Sequence, residues 1–166
     1  MVRIRFSLAL MFALVLSCVG AFAQTASKVD IFGGAEYRFV PNGNGINAPG
    51  WEASATYNFV PTFGATADFD GIYANGGSSY TYLFGPTVKF LQKTHFTVFG
   101  DALFGIAHSG VGSASVNNFA FATGGGVDIP LSKNFSVRPV KLEYLLVDSK
   151  SVSNTLRYSG GMVFSF

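Results

Sequence analysis

The 166-residue chain has a single cysteine, Cys18, and it falls inside an apolar leader. The rest of the chain therefore has no disulfide, no thiolate nucleophile and no cysteine-based metal site. Charge is scarce as well. Only 12% of residues are Asp, Glu, Lys or Arg, about half the share of an average soluble domain. Helical periodicity is missing, because Gly and β-branched residues interrupt every candidate window. Beyond residue 23 no stretch reaches the roughly 18 continuous apolar residues of a membrane helix. No basic patch is present, so nucleic acid has no electrostatic footprint here.

What is abundant is apolar and aromatic. Hydrophobic residues make up 49% and aromatics 16%, mostly Phe, alongside 20 Gly. That mixture is odd for a surface that faces water and ordinary where lipid is the solvent. The leader explains part of it. Arg3 and Arg5 form a basic n-region, residues 6–20 are an apolar run, and Ala21-Phe22-Ala23 before Gln24 is an A-x-A-like cleavage site. Residues 1–23 thus read as a cleavable secretory signal peptide. A retained anchor is the first alternative. Lipidation at Cys18 is the second, although Leu16 fits a lipobox poorly. Cleavage would leave residues 24–166 as one domain, with nine Lys and Arg against nine Asp and Glu. The mature chain is then neutral, and the pI of 8.7 belongs to the precursor.

Along residues 24–166 the recurring period is two, the mark of strands with two different faces. Alternation predicts strands over 29–39, 51–59, 63–73, 80–90, 96–106, 119–128, 135–146 and 155–166. In the seventh, Arg138 and Glu143 fall on opposite parities, which predicts a bulge near Pro139. Gly/Asn/Ser-rich loops at 41–50, 74–79, 109–118 and 147–154 alternate with short turns. Strands of about 9–11 residues cross a bilayer when tilted. An even number of them, with turns at one end and loops at the other, is the plan of a transmembrane barrel. The fold class is therefore all-β, an eight-stranded antiparallel up-and-down transmembrane β-barrel preceded by a signal peptide. Tyr37, Phe39, Trp51, Tyr73, Tyr80 and Tyr82 would form one aromatic girdle. Phe59, Phe63, Phe90, Phe96, Phe135 and Phe166 would form the other. A soluble lipocalin-like barrel would need the opposite arrangement, apolar inside and polar outside.

The small and charged face then lines an interior only wide enough for side chains. It holds Asp30, Glu36, Arg38, Glu52, Asp68, Asp70, Lys89, Asp101, Asp128, Arg138, Lys141, Glu143 and Arg157. Charges so confined must pair. Strand direction predicts Arg157 near Glu36, Arg38 and Glu52 at the loop end, and Asp30, Asp128, Lys89 and Arg138 together at the turn end. Lys141, Asp68, Asp101 and Glu143 should lie between them. Mixed charges in a narrow lumen favour a packed polar core over an ion path. His108 and Ser109 invite comparison with the Ser–His pair of membrane lipases and deacylases. Adjacent strand residues point to opposite faces, however, which is poor geometry for a nucleophile and its base. Gly43-Asn44-Gly45-Ile46-Asn47-Ala48 matches a dinucleotide fingerprint only formally, between Pro41 and Pro49 with no helix to follow.

The stretches YLFGPTVKF, ATGGGVD, SVRPVKLEYLL and YSGGMVFSF resemble the small porin-family outer-membrane β-barrels, similar to the OmpA transmembrane domain and OmpX. The resemblance covers 24–166. It implies residence in the outer membrane of a Gram-negative bacterium and a structural or surface-interaction role, with outer-membrane lipid as partner. It also implies a recognition signal for the barrel-assembly machinery at Tyr158, Ser159, Gly161, Phe164 and Phe166. No peptidoglycan-binding domain follows the barrel, so a cell-wall tether is not expected, and short loops weaken an adhesin reading. The expectation is a monomeric, non-enzymatic barrel without cofactor, metal or nucleic acid. A narrow ion or solute channel is the alternative, and a lipid-modifying enzyme the remote one.

Overall fold

A computed structural model describes residues 27–39, 47–74, 77–111, 114–148 and 153–166. The expected signal peptide, Cys18 and residues 43–46 of the fingerprint-like fragment lie outside them. Eight strands follow one another: β1 (Val29–Phe39), β2 (Ala48–Val60), β3 (Phe63–Ala74), β4 (Gly77–Gln92), β5 (Thr97–Val111), β6 (Ala114–Pro130), β7 (Phe135–Asp148) and β8 (Ser153–Ser165). Each pairs with its sequence neighbours, and β1 closes on β8, making a complete antiparallel barrel. Closure leaves no row of unpaired backbone N–H and C=O groups, which an apolar solvent would not tolerate.

The seam runs from Asp30 opposite Ser165 to Phe39 opposite Leu156. It is close-packed at Gly34 and Gly161. A Cβ on Gly161 would stand 2.5 Å from the Gly34 Cα, so neither position tolerates a side chain without a shift of the seam. The bulge near Pro139 is present. The register of β7 shifts between Arg138 and Lys141 against β8, with a matching irregularity at Val127/Ile129 on β6. Proline cannot donate to the ladder, and the extra residue re-aims Lys141 and Glu143 into the lumen. Further shifts fall beside the turns, at Asn58/Val60 and at Lys89/Leu91.

Where they are described, the expected loops at 74–79 and 109–118 are strand. Ala74 pairs with Gly77, and Val111 with Ala114, so β3–β4 and β5–β6 remain hydrogen-bonded to their tips. β2 already begins at Ala48, and β8 at Ser153. The Gly, Asn and Ser residues there have weak β propensity. A neighbouring strand on each side supplies the hydrogen bonds regardless, and that context outweighs propensity. The expected loops at 74–79 and 109–118 are corrected accordingly, and the strands that flank them are longer than alternation alone predicts. β4, β5 and β6 run 16, 15 and 17 residues.

The two faces divide as alternation predicts. Large apolar side chains cover the outside, among them Phe59 at 61%, Phe84 at 58% and Phe90 at 71% exposure. Trp51, Tyr73 and Tyr80 cluster near the loop end, where Trp51 Nε1 and Tyr80 Oη both approach Tyr73 Oη (3.5 and 3.4 Å). Phe135 packs against Phe164 near the turn end, with ring centroids 5.3 Å apart and the planes tilted by 54°. A contiguous exposed apolar belt of this size does not occur on monomeric soluble proteins.

Candidate functional site: the charged lumen

The inward positions of β1, β2, β3, β5, β7 and β8 meet in a buried ionic network. Lys141, 1% exposed, is its centre. Its Nζ donates to Glu52 Oε1 (2.7 Å) and Asp68 Oδ2 (3.1 Å), stands 3.1 Å from Glu143 Oε2, and lies 3.8 Å from Asp101 Oδ2. Toward the loop end, Arg157 reaches across the lumen. It donates to Glu143 Oε2 from Nε and Nη2 (3.0 and 2.5 Å), to Asp68 Oδ1 (3.2 Å) and to Asp70 Oδ2. Arg38 donates to Glu36 Oε1 (2.5 Å), to Asp70 Oδ1 and to Thr81 Oγ1 (3.1 Å).

This wiring differs in part from the expected one. Arg38 and Arg157 do face each other across the seam, a like-charge pairing that is unfavourable by itself. Asp70 resolves it by accepting from both guanidinium groups. Arg157 does not hydrogen-bond Glu36 or Glu52, as expected from strand order. It bonds Glu143, which stands opposite it on β7, and reaches across the lumen to Asp68 and Asp70 on β3. Asp70 is the hub that reasoning from parity passed over: parity gives the face of a residue, not which side chains meet across the diameter.

Toward the turn end the four expected charges separate into two pairs. Lys89 Nζ donates to Asp30 Oδ2 (2.9 Å), and Arg138 donates bidentately to Asp128 (2.6 and 3.0 Å). The Arg138 guanidinium also lies between two inward rings, 4.6 Å from the centroid of Phe32 and 4.2 Å from that of Phe99. Such stacking favours a partly desolvated arginine. Asp30 is tied further by Ser27, Asn58 and Ser165. A hydroxyl ladder, Thr56–Thr66–Thr87 (2.7 and 2.6 Å), rises from there toward the network.

The lumen is not polar throughout. Leu83, Leu103, Ala107, Ala120, Ala122 and Leu145 form a buried apolar cluster on β4–β7 in the loop-end half. Leu83, Leu103 and Leu145 stand at inward parity, so the sequence already held this signal, masked by the charges around it. Near this cluster, a Cβ on Gly124 would stand 2.6 Å from the Glu143 Cα, so this close approach of β6 to β7 requires glycine. The loop-end half is therefore closed by arginines on one side and by aliphatic packing on the other. A polar cavity remains in the turn-end half, between Asp30, Thr66, Thr87, Lys89, Asp101 and Arg138.

No protein-family model and no curated protein matches the sequence. Solved structures do match the fold. Neisserial surface protein A superposes with a TM-score of 0.70 at 14% identity, over 86% of this chain and all of that one. The N-terminal β-barrel domain of Pseudomonas aeruginosa OprF gives 0.63 at 13%, over 86% and 100%. The outer membrane protein OprG of the same organism gives 0.59 at 11%, over 85% and 96%. The fold is that of the small outer-membrane barrels. At these identities the likeness concerns the backbone plan, and side-chain roles must come from this chain's own geometry.

The terminal segment is placed as follows. Tyr158 faces outward and donates its hydroxyl to Pro139 O (3.0 Å), Ser159 is buried at 1% exposure, and Gly161 sits in the close seam. Phe164 and Phe166 are 48% and 67% exposed. The Phe166 carbonyl accepts from the Lys28 and Val29 N–H groups (2.7 and 3.2 Å), and its own N–H donates to Val29 O (2.9 Å). His108 and Ser109 do not meet each other. His108 Nδ1 lies 2.6 Å from Asn117 Oδ1, and Ser109 Oγ lies 3.1 Å from Ser79 Oγ. Among the described residues no group of three His, Cys, Asp or Glu converges to hold a metal ion.

Proposed function

We propose that this chain is an exported, integral outer-membrane β-barrel with a structural or surface-interaction role, monomeric and non-catalytic. The carrying observation is the pairing of an exposed aromatic and aliphatic belt with an inward ionic network on a closed sheet. Only lipid suits the first, and only a lumen suits the second. The barrel-assembly machinery would read Tyr158, Ser159, Gly161, Phe164 and Phe166 during insertion. β3–β4 and β5–β6 stay paired as far as Ala74–Gly77 and Val111–Ala114, which extends the sheet on the loop side and supports contact at the cell surface.

A narrow channel is the second reading, favoured by the turn-end polar cavity. The arginines and the aliphatic cluster oppose it, since both occlude the loop-end half. Cell fractionation with heat-modifiable gel mobility tests the main reading, and a soluble periplasmic protein would overturn it. Planar-bilayer recording separates the two. The expected outcome is small or absent unit conductance, and large stable currents would establish the channel.

A further inference from the structure

The exposed cations of this barrel gather at one end. Among the described residues, Lys28, Lys93 and Lys133 are the only exposed lysines or arginines. All three stand at the turn end: Lys28 just before β1, Lys93 between β4 and β5, and Lys133 between β6 and β7. None of them forms an ion pair among the described residues. The acidic side chains nearest that end, Asp30 and Asp128, are taken by Lys89 and Arg138. A carboxylate at Phe166 would offset one of the three lysines at most. At the loop end the sequence places only Asp148 and Lys150, one of each sign.

Each of these lysines is held beside lipid-facing side chains. The Lys28 N–H donates to the carbonyl of Phe166 (2.7 Å), itself exposed on the outer face. The Lys93 N–H donates to Phe96 O (2.9 Å), closing a turn whose flanks, Phe90, Leu91 and Phe96, are exposed. Lys133 lies in a turn closed by the Leu131 and Ser132 N–H groups on Phe135 O (2.9 and 3.0 Å), with Leu131 exposed. A lysine stem covers apolar surface while its ammonium reaches the aqueous side. Cations set just beyond an aromatic belt meet the headgroup layer, where anionic lipid attracts them.

We infer that the turn-end rim is a binding surface for anionic phospholipid headgroups, with Lys28, Lys93 and Lys133 as the partners of their phosphates. The loop end, where the charges cancel, has no such preference, so the barrel selects lipid in one leaflet. This deepens the outer-membrane reading proposed above and rests on it.

The test refolds the chain into phosphatidylcholine vesicles that carry a trace of spin-labelled lipid. Electron paramagnetic resonance then reads the motionally restricted fraction for labelled phosphatidylglycerol and for labelled phosphatidylcholine. A several-fold preference for phosphatidylglycerol is expected, declining as salt screens it. Each lysine contributes up to about fivefold. Lys28→Gln, Lys93→Gln and Lys133→Gln should therefore each lower the preference, and the triple variant should abolish it. Lys150→Gln, in the connection from β7 to β8, should leave it unchanged. Equal restriction of the two lipids by the folded barrel would overturn the inference and leave the membrane-barrel reading standing. A preference that persists in the triple variant would also overturn it. A chain that gains no heat-modifiable band in any vesicle would overturn both.

Discussion

Six buried carboxylates share the lumen network with three cations, Arg38, Lys141 and Arg157, and that imbalance makes Arg157 the most informative position to perturb. Its guanidinium serves Glu143, Asp68 and Asp70 at once, and the residue is 1% exposed. Arg157→Met keeps much of the aliphatic volume and removes the charge. Each carboxylate retains one cation, because Lys141 still contacts Asp68 and Glu143 and Arg38 still holds Asp70. Among the described residues the network's six carboxylates then face two cations instead of three. The expected cost is about 3–5 kcal/mol, the range for breaking a buried ion pair from one side. Glu143→Gln, by contrast, keeps a hydrogen-bonding group and lowers the excess, so it should cost about 1 kcal/mol or less. The double variant should recover about 0.5–3 kcal/mol relative to additivity. Urea unfolding from lipid vesicles, followed through Trp51, the chain's only tryptophan, measures all three. If Glu143→Gln costs as much as Arg157→Met, the network is limited by lost hydrogen bonds and not by charge, and the reasoning fails.

Deleting Phe166 removes three backbone hydrogen bonds at the seam, about 1.5–4.5 kcal/mol in the folded barrel. Insertion in cells should fall much further than refolding into vesicles does, and normal cellular insertion would count against the assembly-signal reading. Gly124→Val should impair folding through contact with the Glu143 backbone and side chain, read as loss of the heat-modifiable band. Leu103→Ala should cost about 2–5 kcal/mol by opening a void in the buried aliphatic cluster, measured by the same urea titration. His108→Ala should leave lipid acyl content unchanged in cells, since His108 is engaged with Asn117 and not with Ser109; altered lipid would revive the enzymatic reading.

Much of the barrel was legible in one dimension. A period of two fixes the face of every residue, and eight such stretches with alternating turn chemistry leave few other closed solutions. The phase break at Arg138 and Glu143 was enough to locate the bulge. The partition of charge was legible too, since the inward set already holds eight carboxylates and five cations. Strand ends were not. Residues 77–79 and 109–111 carry Gly and Ser, and their state depends on whether a neighbouring strand stands beside them.

Local alternation and composition thus specify the two-faced sheet, its strand number, its aromatic exterior and its charged interior. Which charges meet is set by the closed barrel. Asp70 bridges two arginines, Lys141 gathers its carboxylates and Asp101 is left nearly alone. Apart from Lys141–Glu143 on β7, those contacts run across the lumen between strands far apart in the chain, where distance depends on barrel closure and side-chain reach. No periodicity along the chain encodes either.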